Sequence, residues 1–185
     1  MTAKVLALLL VLATLLSCSS KNSNQAAGKP AQPQKITAST TPSCCYIVGN
    51  DSVAIRPFEI TVSLSPKARA KIVGNKETIF VDVSITGEHK PTTPAKLIAE
   101  DGQFYVASVR KEIRYGQVAR FDSIKMSRYI YNELLNKDAD VTVNVYSGRK
   151  SSEDNLLNSE LLSEKISKVV NRKSTIKSKL IYGDD

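Results

Sequence analysis

Few side chains in this sequence stand at spacings that chemistry could use. The only histidine, His89, lies in the turn Gly87-Glu88-His89-Lys90-Pro91. No second imidazole can share a metal ion with it, and a lone histidine in a turn reads as solvated. With one His, and no Cys in the body of the domain beyond an adjacent pair at its start, zinc and most transition-metal sites lack their usual ligands. A Ser-His-Asp device would have to run through His89, and no Gly-x-Ser-x-Gly turn presents a serine. No catalytic residue is assigned, and no metal.

Carboxylates and glycines give weaker signals. Asn136, Asp138 and Asp140 have the alternate-position spacing of a calcium loop, but Val141 stands where the sharp turn needs Gly and Ser147 where the bidentate Glu belongs, which excludes an EF-hand. A looser calcium site at a sheet edge stays open, against the plainer reading of a polar turn. Ser147-Gly148-Arg149-Lys150-Ser151 has the look of the end of a phosphate loop. The preceding glycine of that motif is replaced by Val143, inside a strand pattern, so the reading becomes a hairpin tip carrying two cations. The pairs Glu100 with Asp101 and Asp138 with Asp140 offer acids and bases only if folding makes them converge.

Three cysteines are present, Cys18, Cys44 and Cys45. Adjacent cysteines cannot staple distant elements, so a disulfide-built fold is excluded. The pair also lacks the Cys-x-x-Cys spacing of a redox catalyst. A strained vicinal disulfide between Cys44 and Cys45, an intermolecular bridge, and two thiols without a task all remain open.

The chain is basic, with 26 Lys and Arg against 18 Asp and Glu. The surplus is concentrated. Lys165, Lys168, Arg172, Lys173, Lys177 and Lys179 form a run without a carboxylate, and Arg110, Lys111, Arg114, Arg120, Lys125 and Arg128 form a second group diluted by Glu112 and Asp122. The plain account is a solvated surface. The functional account is contact between the first run and an anionic partner: phospholipid head groups, a glycan polymer or an acidic protein surface. Aromatic residues do not interleave with these cations as a single-strand platform requires, so nucleic acid is not expected as a partner. No small-molecule substrate is identified.

The elements that must carry these residues are strands. Phe58, Ile60, Val62 and Leu64 alternate with polar residues, as do Ile79, Val81, Val83 and Ile85, and then Val141, Val143 and Val145. Phe104, Val106 and Ser108 against Tyr105, Ala107 and Val109 suggest another strand, and Thr175 to Tyr182 a last one. Turn signals separate them at Gly74-Asn75, Gly87, Pro91, Pro94, Asp101-Gly102, Gly116 and Ser147-Gly148. The spacing predicts a mainly β fold, an antiparallel β-sandwich of about seven to eight strands in two sheets with one or two short helices. The helices expected are a short one over 127–135, with Ile130 and Leu134 on one face, and one over 152–166 with Ser152 as N-cap. Folds of this class host many functions, so architecture narrows function little.

The N-terminus carries the sharpest signal. Lys4 precedes Val5 to Leu16, in which only Thr14 is not apolar. That run is shorter than the roughly 20 residues a membrane-spanning helix needs, and fits the 7 to 15 or so of a signal-peptide core. Leu15 and Leu16 at the end of the run, with Ser17 and Cys18 after them, form a stretch that resembles the lipobox of bacterial lipoproteins, in which the cysteine thiolate takes diacylglycerol and a small neighbour lets the peptidase reach the bond. An ordinary secretory signal that happens to contain Cys is the competing reading.

The resemblance implies a signal peptide over 1–17 and lipidation at Cys18, carrying diacylglycerol and an N-acyl chain of the palmitate kind, with no other cofactor. Two or more acyl chains hold firmly where one holds marginally. Ser19 after the cysteine implies sorting to the outer membrane, facing the periplasm. From 18 to 43 the chain is rich in Ser, Thr, Asn, Gln, Ala and Pro and reads as a flexible tether, with a reach of roughly 25 to 30 Å; residues 44–185 then form the β-sandwich domain. The expected function is non-enzymatic: a lipoprotein that binds or organises an envelope protein. The alternatives are an accessory lipoprotein of a secretion apparatus, and an inhibitor or immunity protein against an envelope-attacking hydrolase.

Overall fold

The computed structural model describes residues 43–122 and 124–183. The expected signal peptide, Cys18 and all of the expected tether except Ser43 lie outside them. Among the described residues, eleven strands in three sheets and three short α-helices make a mainly β, sandwich-like fold. Chain order is β1 (Cys45–Val48), β2 (Ser52–Ile55), β3 (Phe58–Leu64), α1 (Pro66–Gly74), β4 (Ile79–Gly87), β5 (Phe104–Ile113), β6 (Ala119–Phe121), β7 (Lys125–Ser127), α2 (Arg128–Glu133), β8 (Asp140–Ser147), β9 (Leu157–Ser159), β10 (Leu162–Lys165), α3 (Ile166–Val169) and β11 (Lys173–Leu180). Among the described residues no helix is long and apolar enough to cross a membrane.

One four-stranded sheet runs β10-β8-β4-β5, the other β6-β3-β11-β9, and a small third sheet runs β1-β2-β7. The alternation along β3, β4 and β8 produces the core as expected. Ile79, Val81, Val83, Ile85, Val141 and Val143 are fully buried, and they join Phe58, Ile60 and Ile176 of the other large sheet in one cluster. Phe58 stacks on Phe121 at 5.0 Å between ring centroids. Each such side chain contributes roughly 1.5 to 3 kcal/mol by leaving water.

The strand count exceeds seven or eight because of six strands of three or four residues: β6, β9 and β10 lie at edges of the large sheets, and β1, β2 and β7 form the small third sheet. The paired strands are antiparallel with one exception: β11 runs parallel to β3, matching Lys173 with Glu59 and Ser178 with Leu64. In β5 a bulge changes the phase. Ile85 pairs with Ala107 but Thr86 pairs with Tyr105, which leaves Val106 as an extra residue. Phe104 is buried before the bulge, and Ile113 is buried on the phase set after it, through half-buried Ala107, Val109 and Lys111. An inserted residue reverses which side chains face inward, so the expected grouping of Phe104, Val106 and Ser108 on one face does not persist along the strand.

Two expectations about helices need correction and one holds. The segment 152–166 is not helical: β9 pairs with β11 and β10 pairs with β8, so the chain crosses between sheets there. Leu157 is buried under one sheet, Leu162 lies against the core from the other, and Leu161 between them is 63% exposed. No single helical face could satisfy both. The helix α1 was not expected; its signals are Ser65, whose hydroxyl accepts the Ala68 N–H at 3.1 Å, and Pro66 at the first helical position. Ala68 and Ile72, one turn apart, are its buried residues. The helix expected over 127–135 forms as α2, capped by the Ser127 hydroxyl on the Ile130 N–H at 3.1 Å.

Candidate functional site

The basic run is divided by the fold. Lys165, at the end of β10, faces Asp140 of β8 because Lys165 and Asp140 are register partners, and its Nζ lies 2.8 Å from the carboxylate. The hydrogen bond to Asp140 holds the Lys165 ammonium above its usual range. Lys168 sits exposed on α3, and Arg172 is exposed just before β11.

Lys173, Lys177 and Lys179 point outward from β11, since Ile176 and Ser178 between them face the core. Parallel pairing places Glu59, Thr61 and Ser63 of β3 beside Lys173, Thr175 and Lys177. The Thr61 and Thr175 hydroxyls are hydrogen-bonded at 2.8 Å. On the far side of β3, Arg120 of β6 is the partner of Glu59, and the two make an ion pair at 3.1 Å. Asn158 of β9 pairs with Lys179 at the other edge. The outer face of this sheet is therefore hydroxyl, amide and cation, with Glu59 as its one strand-borne carboxylate. A shallow open groove of about 500 Å³ lies at one end, lined in part by Ser63, Asn158, Glu160, Lys177 and Lys179. Among the described residues Arg172, Lys173, Lys177 and Lys179 have no carboxylate partner.

Arg120 belongs to this face although in sequence it stands with the other basic group. The alternation of Ala119-Arg120-Phe121 marks it as outward-facing, but only the β6–β3 pairing shows beside what.

The outer face of the other large sheet behaves differently. Arg110 of β5 donates to Asp82 of β4 at 2.7 Å, and its guanidinium lies 5.5 Å from the ring centroids of both Phe80 and Tyr146. The Tyr146 hydroxyl donates to the same Asp82 oxygen at 3.2 Å. Asp82 holds Arg110 above its usual range, and burial followed by the Asp82 charge does the same for Tyr146. Lys150 and Glu112 form another ion pair, whose hydrogen bond lowers the Glu112 carboxyl. With Lys165 and Asp140, three cations at this sheet are paired with carboxylates.

The phosphate-loop likeness at 147–151 resolves into an internal contact. Glu77, 3% exposed, places its carboxylate where such a loop would hold an anion. It accepts the backbone N–H of Lys150 at 3.0 and 3.1 Å and that of Ser151 at 2.7 Å, with the Ser151 hydroxyl at 2.6 Å. Burial raises this carboxyl, but the hydrogen bonds from Ser151, Lys150 and Thr78 outweigh it and leave the group below the usual range.

The residues of the calcium-like spacing separate. Asp138 accepts from the Ser167 N–H and hydroxyl, Asp140 from Lys165, and the Asn136 amide donates to Glu88. Among the described residues no cluster of three or more His, Cys, Asp or Glu could hold a metal ion. His89 is half-buried rather than solvated; its ring meets Phe104 edge-on at 6.2 Å, and Nδ1 lies 2.9 Å from the Lys90 carbonyl.

Cys44 and Cys45 are free, buried thiols in the core cluster. Cys44 donates to the Lys137 carbonyl at 3.4 Å. The Cys45 thiol is pushed far up by the hydrogen bond it shares with Cys44, and further by burial. Lys137 itself ties down the end of α2 by donating to the Tyr131 and Asn132 carbonyls at 2.6 and 2.8 Å.

No protein-family model matches this chain, and comparison with curated proteins and with solved structures returned no match. The site rests on its own geometry.

Proposed function

We propose that this chain is a bacterial envelope lipoprotein, acylated on Cys18 and held at the periplasmic face of the outer membrane. Its folded domain is a non-enzymatic module that binds or organises another envelope protein. The observation that carries the reading is the sequence Leu15-Leu16-Ser17-Cys18, which overlaps the end of the apolar run Val5 to Leu16. A thiol at that position is the acceptor lipid attachment needs, and several acyl chains would hold the protein firmly.

The fate of the candidate acids and bases supports the non-enzymatic part. Of the pairs Glu100 with Asp101 and Asp138 with Asp140, Asp138 is engaged by Ser167, Asp140 by Lys165, and Asp101 by the Gln103 N–H and the Tyr105 hydroxyl, so these three have a packing or pairing role where they stand.

The deciding experiment is mass spectrometry of the mature N-terminus, with and without globomycin, in wild type and in Cys18→Ala. Accumulation of precursor under the drug, and a mature peptide beginning at triacylated Cys18, are expected. A chain cut elsewhere and recovered without lipid would end the reading. Chemical cross-linking in intact cells then tests the partner: a protein cross-linked to the wild type and lost in Cys18→Ala is expected.

A further inference from the structure

We propose that the outer face of the β6-β3-β11-β9 sheet is a membrane-facing surface, on which Lys173, Lys177 and Lys179 meet the anionic head groups of a phospholipid layer. The inference rests on the lipoprotein reading for the proximity of that layer.

Three features select this occupant. The first is the arrangement of charge. From Lys173 to Lys179 the face extends roughly 20 Å at about 3.3 Å per residue, and Arg120 stands two strands away, about 10 Å across. The lysines have no carboxylate partner among the described residues, and the face carries Glu59, tied to Arg120, with Glu160 at its groove. The net charge is positive and spread over a plane. The other large sheet pairs Arg110, Lys150 and Lys165 with carboxylates. Of the outward strand positions of the two large sheets, the unpaired cations lie on this one, and such an asymmetry can orient the domain as well as attract it.

The second feature is the composition between the cations: Thr61, Thr175, Ser63 and Asn158, with no aromatic and no large aliphatic side chain on the outward positions of these strands. Protein interfaces take their energy from buried aromatic and arginine anchors and are depleted in Lys and Ser. This face has the opposite composition. A head-group layer asks only for charge within a Debye length, about 10 Å at 0.1 M salt.

The third is side-chain reach. Lysines on a strand stand away from the sheet on flexible stems, which suits a fluid layer whose phosphates move to meet them and gives little to a rigid shaped ligand.

The test uses the chain as cells make it, reconstituted with vesicles of phosphatidylcholine alone or with about one third phosphatidylglycerol. Amine acetylation read by mass spectrometry reports each lysine. Lys173, Lys177 and Lys179 are expected to be protected severalfold on the anionic vesicles only, with exposed Lys96 and Lys125 unchanged, and the protection should vanish in about 0.5 M salt. The variant K173Q/K177Q/K179Q, verified as folded by its thermal melt, should lose anionic preference by a factor on the order of 100.

Equal labelling on both vesicles overturns the proposal, as does a variant that keeps the preference. Protection by soluble polyglutamate equal to that by vesicles also overturns it, because the occupant would then be a polyanion rather than a membrane. Failure of the lipoprotein reading looks different: the chain would not float with phosphatidylcholine vesicles at all. Co-flotation of that unanchored chain with the anionic vesicles, lysines protected, would still support the face, and its absence would overturn it.

Discussion

Both carboxylate oxygens of Glu77 receive the backbone N–H of Lys150, at 3.1 and 3.0 Å, although the two residues are separated by five strands of sequence. A buried carboxylate thus substitutes for the anion that the turn 148–151 has the shape to hold. Backbone donors aimed at one charged acceptor make strong hydrogen bonds, so the turn between β8 and β9 is fastened to the start of β4 by charge.

Glu77→Gln tests that fastening. The amide keeps the shape but turns one acceptor into a donor facing N–H groups, and a loss of about 2 to 3 kcal/mol is expected in urea unfolding at neutral pH. The wild-type carboxyl titrates below its unfolded value. Its contribution is therefore complete above the unfolded glutamate range, near about 4.3, and is lost as pH falls through the folded value. The gap between wild type and variant should close on acidification; a gap independent of pH would refute the charge argument.

Gly148 is held close to the same site. A methyl group there would overlap Thr78 Oγ1 and stand 3.1 Å from Glu77 Oε1. Gly148→Ala should cost about 2 to 3 kcal/mol by overpacking, and adding Thr78→Ala, which removes the obstructing hydroxyl, should return at least about 1 kcal/mol. Thermal melts of the single and double variants decide it.

The Arg110–Asp82 pair should matter far less than its contacts suggest. The arginine side chain is 57% exposed, and exposed pairs are worth about 0.2 to 1 kcal/mol. A double-mutant cycle over Arg110→Ala and Asp82→Ala should give a coupling below about 1 kcal/mol. Phe58→Ala, which empties a buried position stacked on Phe121, should cost about 3 to 5 kcal/mol. Coupling above that core loss would show that the ion pair is an organising element of the sheet.

Cys44 and Cys45 should react slowly with a thiol reagent in the native protein. Both are buried, which limits reagent access; the Cys45 thiol is raised, so little Cys45 thiolate exists at neutral pH, while the hydrogen bond from Cys45 lowers the Cys44 thiol and leaves burial as its protection. Titration with a chromogenic disulfide should proceed at least about tenfold slower than after unfolding in denaturant. Fast reaction of the native thiols would place this segment outside the core.

The strands with several alternations were legible before folding was considered. In β3, β4 and β8 the period is a property of the backbone itself, repeated enough times to be read. The strands β6, β7 and β9, of three residues each, repeat too little to show a period. Helix α1 buries Ala68 and Ile72 alone, which leaves no apolar stripe to notice, yet Ser65-Pro66 at its start was a usable signal. The misread segment 152–166 failed because its leucines serve two sheets, and a helical wheel cannot represent that.

What the amino-acid sequence determined by itself was local: which side chains alternate, where cations gather, and the motif around Cys18. What only the tertiary structure decided was who meets whom. Lys165 left the basic run because β10 lies against β8 and brings Asp140 to it. Arg120 joined the lysines of β11 because β3 lies between them, parallel to one and antiparallel to the other. Side-chain direction follows from two dihedral angles per residue, whereas strand pairing is chosen by the burial of the whole core, and no local stretch carries that information.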